Sequence, residues 1–197
     1  MGETGLSMML YSSQSQTVWG ILHRDGVCFS KREYVQQKYG ESAPIFLTVY
    51  DWFCSQAQKL LLRPEGAEYP YWAFRDLYSV SGSPDNQIRQ LQVPAQEAIY
   101  FDVYDWNRLL TLQYLGENQE DEANFRRTLQ EYGVRRPADV MLTNFYPDLK
   151  RQVLESWKRL FRHHARILAG DDTGVGSVQA ALWQLREEWI CPNGQSK

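Results

Sequence analysis

The chain is 197 residues long, which suits one domain with a full core, and its formal net charge is −3. A charge this close to zero gives no overall attraction to nucleic acid or to an anionic membrane. No apolar run approaches the roughly 18 residues that span a bilayer, and the N-terminus carries no secretory signal. We therefore expect a cytoplasmic protein without membrane contact.

The first third of the chain predicts a strand, a helix, a short strand and a second helix. An apolar run at 8–11 suits the strand. Apolar spacing predicts a helix over 16–24, which stops before Gly26 because glycine readily takes the left-handed conformation after a helix. A brief strand at 27–29 and a less regular helix at 32–39 follow.

The tetrapeptide Val-Tyr-Asp-Trp occurs twice, at 49–52 and at 103–106. Each copy follows a residue that caps helices well, Thr48 in the first case and Asp102 in the second, and an acid stands three positions later. Both copies therefore predict helix starts. The apolar stripe after the first copy predicts a helix that continues to about Leu61.

Strands are predicted before the second copy. The run Tyr-Pro-Tyr-Trp-Ala-Phe at 69–74 is too short and too aromatic for a helix, and strands are also expected at 88–93 and 98–101. The second tetrapeptide then lies at the carboxyl end of a strand, a position where sites often occur in α/β sheets. An acidic start at Glu117 predicts a further helix that ends near Gly133.

The last part of the chain is one long helical pattern followed by an ambiguous segment. A long amphipathic helix is predicted near 148–168, because one apolar face repeats throughout it. Its other face is basic, through Lys158, Arg159, Arg162 and Arg166. A solvated face explains these cations most simply, and nucleic-acid contact through them is the alternative. Residues 178–190 fit a strand and a helix equally well.

These elements predict a single α+β domain over 8–191, with flexible termini at 1–7 and 192–197. A small mixed or antiparallel sheet should pack against several helices. The three cysteines are far apart and form no C-x-x-C pair, so we expect reduced thiols rather than a disulfide framework or a zinc site.

Few residue patterns point to chemistry. His23 stands alone and His163 and His164 are adjacent, so neither arrangement suits chelation and we expect no metal. No phosphate-binding glycine motif or hydrolase elbow occurs. Tyr71, Trp72 and Arg75 offer a stacking surface beside a guanidinium, although core packing also explains the two rings.

Several segments together resemble the bacterial family catalogued as domain of unknown function 3841. The resemblance covers the chain from about residue 10 to 190. It implies a compact bacterial protein and brings no catalytic residues with it. The matching pieces are Tyr-Asp-Trp-Phe at 50–53, Tyr-Pro-Tyr-Trp-Ala-Phe at 69–74, Val93 to Trp106, Glu-Ser-Trp-Lys-Arg-Leu-Phe at 155–161, and Ser-Val-Gln-Ala-Ala-Leu-Trp-Gln-Leu at 177–185.

The order of elements also resembles, more loosely, the ADP-ribosyltransferase superfamily, which binds NAD in the cleft of a split sheet. The resemblance implies that Tyr11 and Trp72 flank nicotinamide, with Tyr71 beside them, that Arg75 meets the pyrophosphate, and that Glu187 acts as the catalytic carboxylate. Tyr11 stands where a His or Arg is usual, and Gln184 to Glu187 departs from the usual Gln/Glu-x-Glu. This interpretation requires residues 178–190 to form a strand beside the first strand.

A binding or regulatory module is the alternative function. Its aromatic groove would hold a protein, a peptide or a small molecule without any chemistry, because Tyr, Trp and Arg are the side chains that dominate binding surfaces. The sequence leaves both functions open.

Overall fold

The strands form one antiparallel six-stranded sheet and a separate two-stranded pair. The computed structural model describes residues 6–195, with side chains as far as Pro192. The sheet order is β5-β6-β3-β1-β4-β8, and β2 pairs with β7. The strands are β1 Ser7–Ser15, β2 Val27–Cys28, β3 Tyr71–Phe74, β4 Asn86–Pro94, β5 Ile99–Asp102, β6 Val178–Leu182, β7 Leu185–Arg186 and β8 Ile190–Gln195.

Eight α-helices accompany the strands within the described residues. The predicted α+β class is confirmed. The helices are α1 Gln16–Asp25, α2 Arg32–Tyr39, α3 Ala43–Ala57, α4 Val103–Leu110, α5 Gln119–Glu131, α6 Asp139–Leu142, α7 Pro147–Trp157 and α8 His164–Leu168.

The chain ends depart from the expected flexible termini. Ser7 begins β1, and residues 192–195 belong to β8. Residues 1–5 and 196–197 lie outside the described part of the chain. The α1 boundaries are close to those predicted, because the Ser15 hydroxyl accepts from the Val18 N–H at 3.3 Å and Gly26 takes φ 75° just after the last turn.

The two faces of the large sheet pack against different helices. On the first, which we call the α1 face, Trp19 and Leu22 of α1 pack on residues from all six strands, such as Leu10 and Leu91. On the second, the α3 face, Phe53 of α3 and other helical side chains pack only on residues of β5, β6 and β3. The packed core therefore includes residues of all six strands on one face and of only three strands on the other.

The two Val-Tyr-Asp-Trp copies have different structures. The second begins α4 as predicted, and the Asp102 carboxylate accepts from the Tyr104 N–H at 2.9 Å. The first lies in the middle of α3, which already begins at Ala43, so that prediction is wrong. The Thr48 hydroxyl donates to the Pro44 carbonyl at 2.9 Å within the helix instead of capping it. The helix also ends earlier than predicted, at Ala57.

The helical stretch predicted near 148–168 is present in three pieces. A 3-10 segment, Lys158–His163, separates α7 from α8. Leu160 packs on the α3 face and Ile167 on the α1 face, so this stretch passes around the β5 edge of the sheet. A straight helix would keep both residues on one side, and the tighter 3-10 turns allow the change of direction.

The ambiguous segment is resolved as strand, because Val178–Leu182 is β6 and a short turn leads through β7 to β8. β6 pairs with β3 and β5, and β3 separates it from β1. The pairing with the first strand that the ADP-ribosyltransferase resemblance requires is therefore not found among the described strands.

His164 closes the outer edge of β5, and this makes stability depend on pH. Its Nδ1 accepts from the Tyr100 N–H at 3.1 Å, and burial lowers the pKa of the ring below its usual value. Since the folded pKa is the lower one, the bond stabilises the fold above about pH 6.5 and is lost as the pH falls through the folded pKa. We expect roughly 1 kcal/mol to be lost in this way.

Urea unfolding of the wild type and of His164→Asn at pH 7.5 and pH 5 measures this effect. An asparagine can accept the same hydrogen bond and does not titrate in this range. The difference in stability between the two pH values should be smaller in the variant. Equal stability differences in the two proteins would mean that protonation of His164 does not weaken the outer edge of β5.

Candidate functional site

No described helix packs on half of the α3 face. Among the side chains of β1, β3 and β4 that point to that side by strand alternation, seven lie in its middle and belong to neither core cluster. They are all partly or largely exposed. We call this surface the open face, and its members are Met9, Tyr11, Ser13, Phe74, Ile88, Gln90 and Gln92.

The open face is a row of rings and neutral polar groups. Tyr11 lies opposite Phe74 on one side and opposite Gln90 on the other, so the three side chains form a row across adjacent strands about 5 Å apart. The Gln90 amide donates to the Tyr11 hydroxyl at 3.4 Å, a weak bond that a ligand could replace. No member carries a charge, so this surface suits flat, neutral groups.

Trp72 marks the border between the open face and the helices. It lies on the same side of β3 as Phe74 and packs beneath α3 and α4. Its indole N–H donates to the Tyr50 hydroxyl at 2.8 Å, and its ring centroid is 4.8 Å from that of Trp106. These contacts fix the ring, so the border of the open face is rigid. Tyr11 and Trp72, two of the predicted site residues, are thus brought to one side of the sheet.

Tyr71 does not join them, because alternation along β3 turns it to the opposite face. Its ring is buried in the α1-face core, and its hydroxyl is 3.0 Å from the Cys28 sulfur. Burial raises its pKa far above the usual value. The structure therefore gives Tyr71 a packing role.

Arg75 and Glu187 also lie apart from the open face. Arg75 follows β3, and its guanidinium pairs with Asp172. A Glu187 carboxylate oxygen is 2.8 Å from His23 Nδ1, and the other ring nitrogen of His23 is 2.8 Å from the Arg89 guanidinium. Arg89 lies over the Trp19 ring of the α1 face, so Glu187 belongs to that side of the sheet.

Gln179, a buried polar residue next to the open face, was not among the residues predicted from the sequence. It lies on β6 opposite Phe74, in the same row as Tyr11, and only 2% of its surface is exposed. Its side-chain carbonyl has no hydrogen-bond donor among the described residues, and the same is true of the Ser13 hydroxyl. The only signal in the sequence was one glutamine within the apolar run Val178–Leu182.

The family model described as Domain of unknown function (DUF3841) matches residues 9–191. The chain belongs to this family. The match begins at Met9 in β1 and ends at Cys191 in β8, so it includes the open face and Gln179. No curated protein and no solved structure matches the chain, and none of the comparisons supports the similarity to the ADP-ribosyltransferase superfamily.

The basic side chains of this DUF3841 protein that offered the alternative of nucleic-acid contact are already paired. Their partners are Glu155 for Lys158, Asp121 for Arg159, Asp105 for Arg162 and Asp171 for Arg166. A phosphate would have to displace an acid at each position, which weakens the counterion-release term that drives such binding. Neither does the described part contain a helix long and apolar enough to cross a membrane.

A pocket of about 200 Å³ lies at the far end of α3, away from the open face. Beside it, the Arg32 guanidinium and the Tyr69 hydroxyl each donate to Asp51, both at 2.6 Å. Cys54 also lines the pocket, and burial raises its pKa to about 12, so the thiol is protonated and unreactive near neutral pH. No metal-binding group of His, Cys, Asp or Glu occurs among the described residues. This pocket therefore lacks an activated nucleophile.

Proposed function

We propose that this DUF3841 protein binds NAD on the open face. The observation that supports the proposal most directly is the half-covered sheet: aromatic and amide side chains occupy a surface where a domain core would normally continue. A rigid aromatic border beside a few neutral polar groups is the usual composition of a small-molecule site.

The chemistry of the open face suits one end of a dinucleotide. The rings of Tyr11 and Phe74 can stack against a flat heterocycle, and Gln90 and Ser13 can hydrogen-bond its polar substituents. Arg75, the residue predicted to meet the pyrophosphate, lies apart from the open face and pairs with Asp172, so the proposal does not depend on it.

A non-catalytic binding role is the second candidate. Transfer of ADP-ribose passes through an oxocarbenium-like centre that a nearby carboxylate stabilises, and Glu187 pairs with His23 on the other side of the sheet. This separation favours binding over transfer. We place either function in the bacterial cytoplasm, where the three unpaired cysteines would stay reduced.

Thermal unfolding with NAD tests the proposal. At about a hundred times its Kd, a ligand adds roughly 2.7 kcal/mol, which at this chain length raises Tm by about 5–10 °C. Tyr11→Ala should fold normally and lose this shift, because the ring is partly exposed and outside both cores. Tyr132→Ala removes an exposed tyrosine elsewhere and should keep it. An unchanged Tm of the wild type in millimolar NAD would exclude the proposal.

Release of nicotinamide separates the two candidates. If the wild type binds NAD and releases nicotinamide, and Glu187→Gln binds equally well without releasing it, the protein is an enzyme that uses Glu187. Binding without any release supports the non-catalytic role.

A further inference from the structure

We infer that Gln179 recognises the ligand of the open face, by accepting a hydrogen bond from an N–H group on a flat, neutral ring. The inference rests on the proposed function and specifies how the site would select its ligand. Gln179 lies between Phe74 and Phe101, its neighbours on the two adjacent strands.

Packing alone does not explain an amide at this position. The side chain is 2% exposed and its carbonyl oxygen has no donor among the described residues, although it lies in the middle of an apolar strand. Burying an acceptor without its hydrogen bond opposes folding, and a methionine would fill nearly the same space without that cost. A buried polar group that weakens the fold needs another reason, and recognition of a ligand supplies one.

Position links this acceptor to the open face. Gln179 and the open-face residues Phe74 and Tyr11 share one side of the sheet, with Phe74 in the middle, so Gln179 is about 10 Å from Tyr11 at the usual strand spacing. That distance suits a flat ring that lies over Tyr11 and Phe74 and turns its polar edge toward Gln179. A carboxamide on a pyridine and the amino group of adenine both present the required N–H. A carboxylate does not.

The α1 face provides a matched comparison. The Tyr100 hydroxyl is also buried without a hydrogen-bond partner among the described residues, but it lies in the core of the α1 face and not beside the open face. The unpaired hydroxyl of Tyr100 therefore lowers the stability of the fold without serving a ligand. Tyr100→Phe and Gln179→Met remove the same kind of defect from opposite faces of one sheet.

The experiment measures Tm and NAD affinity for the wild type and for these two variants. Both should unfold at the wild-type temperature or a few degrees above it. Tyr100→Phe should bind NAD as the wild type does, whereas Gln179→Met should bind at least about tenfold more weakly. If the carboxamide is the group that Gln179 binds, the wild type should also prefer NAD at least about tenfold to its nicotinic acid analogue, in which a carboxylate replaces the carboxamide, and Gln179→Met should lose this preference.

Competition identifies the end of the dinucleotide that Gln179 binds. Displacement of NAD by nicotinamide mononucleotide assigns the carboxamide, and displacement by AMP alone assigns the adenine amino group. Equal NAD affinity in Gln179→Met and the wild type overturns the inference and leaves the proposed function standing. A marked loss of stability in Gln179→Met also overturns it, because the amide would then be structural. A wild type that does not bind NAD overturns both.

Discussion

Replacing Trp106 with alanine should lower the free energy of unfolding by about 3–5 kcal/mol, the usual cost of truncating a buried tryptophan. The ring is 3% exposed and lies within 6 Å of four other rings, Tyr50, Phe53, Trp72 and Phe101. Its loss leaves a cavity where α3 and α4 meet the sheet. At this chain length the change lowers Tm by roughly 6–20 °C, which calorimetry measures directly.

Trp52→Ala is the internal control, since Trp52 occupies the same place in the first Val-Tyr-Asp-Trp copy. Its ring is only partly buried and packs at the margin of the core, edge-on to Trp157 at 5.3 Å. The loss should be clearly smaller, because less apolar surface leaves water and less cavity remains. Equal losses would mean that the two copies have equivalent structural roles.

The two copies show how far a local pattern determines structure. The second was predicted correctly because Asp102 ends a strand, and the cap then satisfies helix N–H groups that have no other partner. The first carries an equally good cap residue, but helix formation had already begun at Ala43, where Pro44 suits the first turn. An N-cap side chain acts only where a helix begins. The residues before it determine where that is.

Tertiary packing decided the regions that sequence periodicity left open or described incompletely. The sequence of residues 178–182 fits both a strand and a helix, because β6 is buried on both faces and lies between two strands. Its side chains therefore do not alternate in polarity as those of a half-buried strand do. The stretch 158–163 has helical periodicity, yet it must turn around the sheet edge to bring Leu160 and Ile167 to opposite faces. Neither constraint is visible before the sheet order is known.

The candidate site was predictable only in part, for a related reason. Tyr11 and Trp72 were placed in one site, and strand register brings them to one face. Tyr71 was grouped with Trp72 because they are adjacent in sequence, although neighbours on a strand point to opposite sides. Gln179 was overlooked because its importance comes from a missing hydrogen-bond partner, which only the three-dimensional arrangement reveals.

Arg162→Met should lower the free energy of unfolding by about 2–3 kcal/mol at pH 7, because it leaves Asp105 charged and without its partner. The Arg162 guanidinium donates to both oxygens of Asp105 at 3.2 and 3.0 Å, and the carboxylate side chain is only 10% exposed. Breaking a fully buried pair costs roughly 3–5 kcal/mol. The expected loss is smaller here because 36% of the Arg162 side chain is exposed, and water screens that end.

The stability lost in Arg162→Met should increase as the pH rises. Burial raises the pKa of Asp105 above its usual value, and Arg162 opposes that rise. Without Arg162 the folded pKa rises further, so the variant binds a proton more readily when folded than when unfolded. The deficit of the variant should therefore be small below about pH 4, where the carboxyl is neutral in both states. It should grow as the pH rises through the folded pKa.

Two further variants make this prediction specific to Asp105. Arg166→Met breaks the exposed pair with Asp171 and should cost less than about 1 kcal/mol, since water screens both groups. Adding Asp105→Asn to Arg162→Met removes the buried charge and should recover most of the loss at pH 7. A loss in Arg162→Met that does not change with pH would mean that Arg162 contributes through its packing on α4 and not through its charge, because a neutral contact does not respond to the protonation of Asp105.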